Sequence, residues 1–475
     1  MNAISSTPFQ VSLFGARART ARINWGVIAQ LCICAVPALA ILGLGHPVWG
    51  ARYVTSTLAL FLAYHAIHGH RHEFLALTVG ALPALVFLRG LFFYSGLTFF
   101  LTVGIFLWAS IASDEVRFIW QDATWRALLF LLVLYWWLSF VNTHDYTANM
   151  RIIELLLSST AVYLLSSNRS SLATALFGFA IVGSVLAISL LPYGDRLGEA
   201  DIDGINIGNA ALMGLPSALA ILLAIGDRGR LLFLDKRPVA RILLALTAAV
   251  WLILSGSRGG WLVAAGGGCV LLAFSRLSRK TLLLCLGTLT LVTLAVLASS
   301  RGDSVRLVYD RTFNSERSMK NRTSFRSEQW AALPKVFVAS PIWGWGPGSG
   351  KDVDYLFTGR HLLWHALYLQ VIGETGSIGM IALLWILGSL IFRSVGHLRK
   401  WGEAMPLVGI ITYMMIGLSV SGFDAFSGVY MGLAFMAREQ HPRLAFRRRS
   451  VKIFSEPSEP VIDVEATPVN VPVQE

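Results

Sequence analysis

Three stretches of the chain set charged or hydrogen-bonding residues beside apolar runs, and each has a chemical use. The first, "HALYLQVIGETGSIG" at 365–379, carries His365, Tyr368 and Glu374 at the head of a long apolar segment. A charge at the centre of a bilayer costs about 2.5–3.5 kcal/mol on insertion scales. These groups therefore stand outside the hydrocarbon or are there for chemistry. Histidine is the side chain best matched to accepting a proton near neutral pH, which makes His365 a candidate general base. On a helix Tyr368 shares its face, with His361 one turn earlier. Glu374 lies half a turn out of phase and roughly 13 Å further along. The two cannot form a direct dyad on one unbroken helix, so Glu374 reads as a supporting, structural residue. Gly373, Gly376 and Gly379 around it favour close helix packing.

The other two stretches carry arginine. "SGSRGGW" at 255–261 places Arg258 at a junction between apolar runs, and "RSEQW" at 326–330 sets Arg326 and Trp330 one helical turn apart. A guanidinium offers a rigid fork that matches phosphate oxygens, so both arginines are candidate anion clamps. The plainer alternatives are a snorkelling arginine in a tight turn and an exposed arginine on a helix. "SPIWGWGPGSG" at 340–350 follows as a turn region whose glycines allow close approach to a ligand. A metal site finds little support. "HLLWH" at 361–365 lacks the glutamate of the zinc-protease pattern and has no evident third ligand. Asp201 with Asp203 and Asp352 with Asp354 read as solvated loop charge. Cys32, Cys34, Cys269 and Cys285 all fall in apolar runs and read as packing residues. Neither metal nor cofactor is expected.

The elements that position these residues follow from hydropathy. Of 475 residues 55% are hydrophobic and only 14% charged, and the mean hydropathy is +0.62, whereas soluble domains are roughly 25% charged. Apolar runs recur at 25–45, 51–67, 74–89, 91–112, 125–141, 151–166, 171–192, 206–225, 240–256, 260–275, 281–299, 365–392, 405–421 and 424–437. A spanning helix needs about 20 residues, so the expectation is an all-α polytopic membrane protein with 12 to 14 transmembrane helices. Continuous rather than alternating runs exclude a barrel. Residues 1–24 lack the apolar stretch of a secretion signal, so the first helix is expected to insert and stay. With that terminus in the cytoplasm, inner loops hold 24 of the 39 Lys and Arg, short outer connections 5, and the long loop 300–364 holds 10. Short loops set orientation.

The expected organisation is therefore a cytoplasmic N-terminus (1–24), a transmembrane bundle (25–299), a periplasmic loop (300–364), closing helices (365–437) and a cytoplasmic, disordered tail (438–475). The net charge of +12 reflects positive-inside bias and not a nucleic-acid footprint. An arginine-rich outer loop points to an anionic partner. The absence of an evident internal repeat argues against a symmetric transporter.

Taken in order, "SGSRGGWL", "RSEQWAALPKVFVASPIWGWGPGSG" and "HALYLQVIGETGSIG" resemble the O-antigen ligase and polymerase superfamily of bacterial envelope enzymes. They are similar to its arginine-bearing junction, its R-x-x-x-W then P-x-x-G-x-G-x-G outer loop, and its H-x-x-Y-L-x-x-x-x-E-x-G helix. The likeness covers roughly residues 200–440. Ala366 departs from it, standing where many members have asparagine. The resemblance implies a fold of the membrane glycosyltransferase C type. It implies transfer of a glycan from an undecaprenyl-diphosphate carrier onto an acceptor hydroxyl at the periplasmic face of the inner membrane. His365 would be the base, and Arg258 and Arg326 would hold the diphosphate. Arg322 and Arg311 are further candidates by proximity in sequence alone. The acceptor would be a lipid A–core for a ligase, or a second lipid-linked glycan for a polymerase of O-antigen or exopolysaccharide units. The competing reading from another class is a polysaccharide transporter or flippase.

Overall fold

The computed structural model describes residues 22–89, 119–143, 147–189, 200–202, 205–207, 210–225, 238–255, 257–274, isolated helical residues between 287 and 298, 326–364, 366–420 and 422–437. The expected spans at 91–112 and 281–299 fall largely or wholly outside these residues. So do residues 300–325 and 438–475.

Helices α1 (Trp25–Gly43), α2 (Pro47–Ile67) and α3 (Arg71–Arg89) come first. Helix α4 (Ala123–Leu138) runs on into a π-helical turn, Ser139–Thr143, and α5 (Thr147–Leu165) and α6 (Arg169–Ser189) follow. A small antiparallel hairpin then pairs β1 (Ala200–Ile202) with β2 (Ile205–Ile207), Ala200 opposite Ile207. Within this otherwise helical fold, residues from Ala210 onward in the run at 206–225 form α7 (Ala210–Ile225). Both strands carry β-branched isoleucines, which favour extended structure. Next are α8 (Pro238–Ser255) and α9 (Arg258–Phe274). Helices α10 (Arg326–Ala339) and α11 (Gly350–Thr358) precede α12 (Leu367–Trp401), α13 (Met405–Ser419) and α14 (Ala425–Phe435).

The packing has the inverted polarity of a lipid-solvated bundle. Two helical stretches, Ala123–Thr143 and Leu367–Trp401, are long and apolar enough to cross a membrane, and shorter apolar helices pack with them. Large apolar side chains point outward, among them Phe130, Val133, Leu262, Ile381, Trp385 and Phe392. Small and hydroxyl residues line the contacts between helices. Gly428 and Gly432 on α14 meet Ser158 and Val162 of α5, and a side-chain carbon at either glycine would collide with that helix. Gly80 and Gly178 likewise let α3 and α6 cross closely. Buried Thr78, Thr160, Ser184 and Thr412 return their hydroxyls to carbonyls four residues back, so none of these four donors is left facing apolar surroundings.

Ion pairs and hydrogen bonds sort the helix ends into two sets. At one end Arg393 of α12 pairs with Asp122, the N-cap of α4, at 2.8 Å. Arg169 and His397 meet Glu403 there at 3.6 and 3.2 Å. The far end of the π-helical turn that extends α4 lies about 30 Å away at 1.5 Å per residue. There Thr143 donates to the carbonyl of Pro347 at 2.7 Å. That second end carries the candidate site.

Candidate functional site

The "SGSRGGW" stretch folds as a serine-capped junction. Ser255 Oγ accepts from the Ser257 amide at 3.3 Å, and Ser257 Oγ accepts from the Gly260 amide at 3.0 Å. Ser257 thereby N-caps α9 and Arg258 becomes its first residue. The glycines that follow are needed for space. Gly260 lies against the Gly214 carbonyl of α7, and Gly259 against Ser419 at the end of α13. Arg326 opens α10 and reaches the same place, its Nη2 donating to the Ser419 carbonyl at 2.6 Å. A guanidinium at the last carbonyl of a helix satisfies an acceptor that has no intrahelical partner and complements the helix dipole. Arg326 Nε is buried without a hydrogen-bond partner. Burial pushes the Arg326 guanidinium below its ordinary pKa, and the charge of Arg258 lowers it further. Two cations distant in sequence are thus held within mutual electrostatic reach.

The glycine turn docks on a broken helix. Within α12, Gly376 has φ 61° and ψ −152°, values outside the helical region. The backbone groups freed by this break are taken up by residues 341–346. Trp345 N donates to Gly373 O at 2.8 Å, Gly346 N to Glu374 O at 2.9 Å, and Ser377 N to Pro341 O at 2.8 Å. Gly344, Gly346 and Gly348 all have positive φ (68°, 91° and 82°), which side-chain-bearing residues adopt with strain. A Cβ at Gly344 would strike the backbone of Glu374–Gly376, and one at Gly376 the Ile342 carbonyl. The close approach of Gly344 and Gly376 is therefore between the turn and α12, whereas Gly346 lies against Asn142 and Thr143.

Glu374 is 3% exposed and joins the two parts. One carboxylate oxygen accepts from the Gly348 amide and the other from Gln370 Nε2, each at 3.1 Å. The Tyr135 hydroxyl of α4 faces the same carboxylate. Glu374 thereby fastens the glycine turn to α12. The helix is broken where the phase argument took it as continuous, and the break falls after Glu374. Tyr368, half-buried, donates to the Met414 carbonyl at 3.3 Å and ties α12 to α13.

Three of the other candidates, His365, Arg322 and Arg311, lie outside the described residues, as does Asp203. The neighbours of position 365 are informative. Trp364 and Ala366 are buried. Gln329 of α10 donates to the Leu363 carbonyl at 3.3 Å, and Leu367 packs on Gly417 and Gly422.

Other residues take roles that the sequence did not suggest. Trp364 covers Gly350 and Gly373 at 7% exposure. Trp345 sends its indole N–H to the Val336 carbonyl at 3.2 Å and sits edge-on to Phe357. Both belong to a small core under α10 and α11 with Val336, Val353 and Leu369. Trp343 remains exposed beside Trp137, with ring centroids 5.1 Å apart. Asp354 is buried and accepts from the Leu362 amide, while Asp352 is exposed. Arg151 and Ser419 were missed. Arg151, on the first turn of α5, is within electrostatic reach of Glu374 and of Asp424, the N-cap of α14. Its only sequence signal is an arginine on an outer connection, and Ser419 shows none beyond its place at the end of an apolar run.

An apolar-faced helical bundle with paired arginines and a docked glycine turn at one end defines a helical membrane protein with a polar, cation-lined site. Residues 243–384 match the model of the O-antigen ligase family. The match covers under a third of the chain and supports its likeness to the O-antigen ligase and polymerase superfamily. It runs from α8 into α12 and takes in Arg258, Arg326, the glycine turn and Glu374. No curated protein matches the chain.

Proposed function

We propose that this protein transfers a glycan from an undecaprenyl-diphosphate carrier to an acceptor hydroxyl at the periplasmic end of its bundle, as an O-antigen ligase does. The observation that carries the reading is that Arg326, bonded to the Ser419 carbonyl, lies within electrostatic reach of Arg258, whose neighbour Gly259 packs on the same serine. Like charges repel, and burying them costs more still, so an arrangement that gathers them is suited to receiving an anion. A lipid diphosphate is such an anion, and its charge grows as the glycosidic bond breaks. Preorganised guanidiniums stabilise that charge best where water is scarce, the role a divalent cation plays elsewhere.

In the reaction the acceptor oxygen attacks the anomeric carbon as the bond to the diphosphate oxygen breaks. His365 takes the hydroxyl proton, and undecaprenyl diphosphate leaves as the anion held by the arginines. Attack opposite the leaving group inverts the anomeric centre. Support for His365 comes from its chain neighbours. Leu363 is bonded to Gln329, one turn from Arg326, and Leu367 rests on the end of α13 that Arg326 caps. Arg322 and Arg311 remain candidates for the same diphosphate.

The test is purified protein with a lipid-linked glycan donor and a lipid A–core acceptor, with no nucleotide sugar or energy source added. Formation of the glycosylated acceptor is expected. Movement of intact lipid-linked glycan between leaflets of a vesicle, without transfer, would establish the flippase reading instead.

A further inference from the structure

We propose that α10 and the start of the glycine turn are anchored in the outer leaflet of the membrane, with lipid covering Trp330, Pro334, Val338, Ile342 and Trp343. Helical periodicity builds this face. Gln329, Ala332 and Val336 of α10 are buried against the protein. Trp330, Pro334 and Val338, each four residues from the next, lie on another side and are exposed. Val338 is 76% exposed, and Ile342, just beyond the helix, is 54% exposed. From Trp330 to Ala339 the sequence "WAALPKVFVA" carries a single charge, Lys335. A helix that is apolar on both its inward and outward sides requires apolar surroundings on both. The small core supplies one of them, and water cannot supply the other. Lys335 is exposed, and its long stem lets the ammonium reach headgroups from an apolar face.

Depth along the bundle identifies the second surrounding as lipid. Arg393, paired with Asp122, marks the boundary at the far end. Gly373 lies 20 residues back along α12, about 30 Å, which is the thickness of a hydrocarbon core. The glycine turn is bonded at that level, Trp345 N to Gly373 O and Ser377 N to Pro341 O. A separate count along α4 agrees. Trp137 lies 15 residues beyond Asp122, about 22 Å, in the outward-facing row of Phe130, Val133 and Trp137. Trp343 packs on Trp137, as their 5.1 Å centroid separation shows. The end of α10 is tied to the same turn by Trp345 Nε1 donating to Val336 O and Ser340 Oγ donating to Gly344 O. The exposed row of α10 therefore continues the lipid-facing surface of α4 at the hydrocarbon boundary, where tryptophan is enriched. Helix α10 begins at Arg326. On the transfer reading proposed above, the anchor holds that guanidinium over the leaflet from which a lipid-linked donor arrives.

The experiment uses the full chain with Cys32, Cys34, Cys269 and Cys285 replaced by alanine, in nanodiscs of phosphatidylethanolamine and phosphatidylglycerol. A nitroxide is attached in turn to Val338→Cys, Ile342→Cys, Asp352→Cys and Ile381→Cys, all at exposed positions. Spin-label saturation then compares collisions with O2, which concentrates in hydrocarbon, and with a water-soluble nickel chelate. Asp352, on the polar start of α11, is the water reference, and Ile381, on the outward face of α12, is the lipid reference. The ratio of O2 to nickel collisions at Val338 and Ile342 is expected to exceed that at Asp352 and approach that at Ile381. A ratio equal to that at Asp352 overturns the proposal, because the face is then in water. Exclusion of both reagents also overturns it, because another part of this chain or a second copy then covers the face. The measurement requires no glycan transfer, so its failure leaves the transferase reading standing, and failure of that reading leaves the anchor standing.

Discussion

Arg258 and Arg326 lie within electrostatic reach of each other but do not carry the same structural load. Arg326 also caps α13 through Ser419, so Arg326→Ala removes both a cation and a helix cap. Arg326→Lys keeps the charge and loses the fork. Transfer is expected to fall about 10²–10³-fold in Arg258→Ala, the range for removing one preorganised donor. Arg326→Lys should fall measurably while the protein remains as abundant in membranes. For His365→Ala the expected loss is about 10²–10⁴-fold, the range for a general base. Near-normal transfer by that variant at unchanged abundance would falsify the base assignment. Glu374 is expected to behave differently. Glu374→Gln keeps an acceptor for the Gly348 amide, whereas Glu374→Ala strands it at a cost of about 1–3 kcal/mol. The alanine variant should therefore lose thermal stability first and transfer as a consequence, and the glutamine variant should be much the milder.

At the scale of elements, the glycine turn and the α12 break form one unit, because each supplies the backbone partners that the other lacks. Gly376→Ala puts a methyl into the Ile342 carbonyl and forces a positive φ on alanine. A penalty of at least about 1–3 kcal/mol is expected from the backbone alone, seen as protease sensitivity within residues 340–350. The small core under α10 and α11 holds a second, titratable constraint. Burial holds the Asp354 carboxyl above the usual carboxylate range, and one of its oxygens has no partner. The folded segment therefore binds this proton more tightly than the unfolded chain. Its stabilising contribution is full below the unfolded pKa and is lost as pH rises through the raised value. Asp354→Asn should flatten that dependence, as measured by hydrogen exchange across residues 350–363 between about pH 4 and pH 7.

For the whole molecule, the proposed orientation and the ligase reading each have a direct test. The 24-to-5 distribution of Lys and Arg predicts that a cysteine at Ser349 is labelled from outside the cell and one at Ser455 is not. The reverse pattern would place the arginine pair on the wrong side for a periplasmic reaction. Ligase and polymerase share a donor, and both acceptors are anionic, so the arginine pair serves either. Deleting the gene and extracting the lipid-linked pool separates them. A missing ligase leaves long glycan chains on undecaprenyl diphosphate and a bare lipid A–core. Accumulation of single repeat units on the carrier identifies a polymerase instead.

Hydropathy is a local property, and what depends on it was legible before folding was considered. The described apolar runs are helices, from Trp25–Gly43 to Ala425–Phe435, and Arg258, Arg326 and Glu374 stood out as polar groups at the margins of such runs. The identity of the glycines as turn and packing residues was legible too, but their partner was not. Spacing along one helix could not show that Gly376 breaks it, because the break is sustained by hydrogen bonds from residues 341–346. Nor could it separate Trp343, which stays exposed, from Trp364, which roofs Gly373. Arg258 and Arg326 meet only because the end of α13 presents Ser419 to both α9 and α10. That meeting is set by how helices cross, through contacts such as Gly260 on Gly214. Close packing between residues far apart in the chain decides such crossings, and no periodicity within a single segment records them.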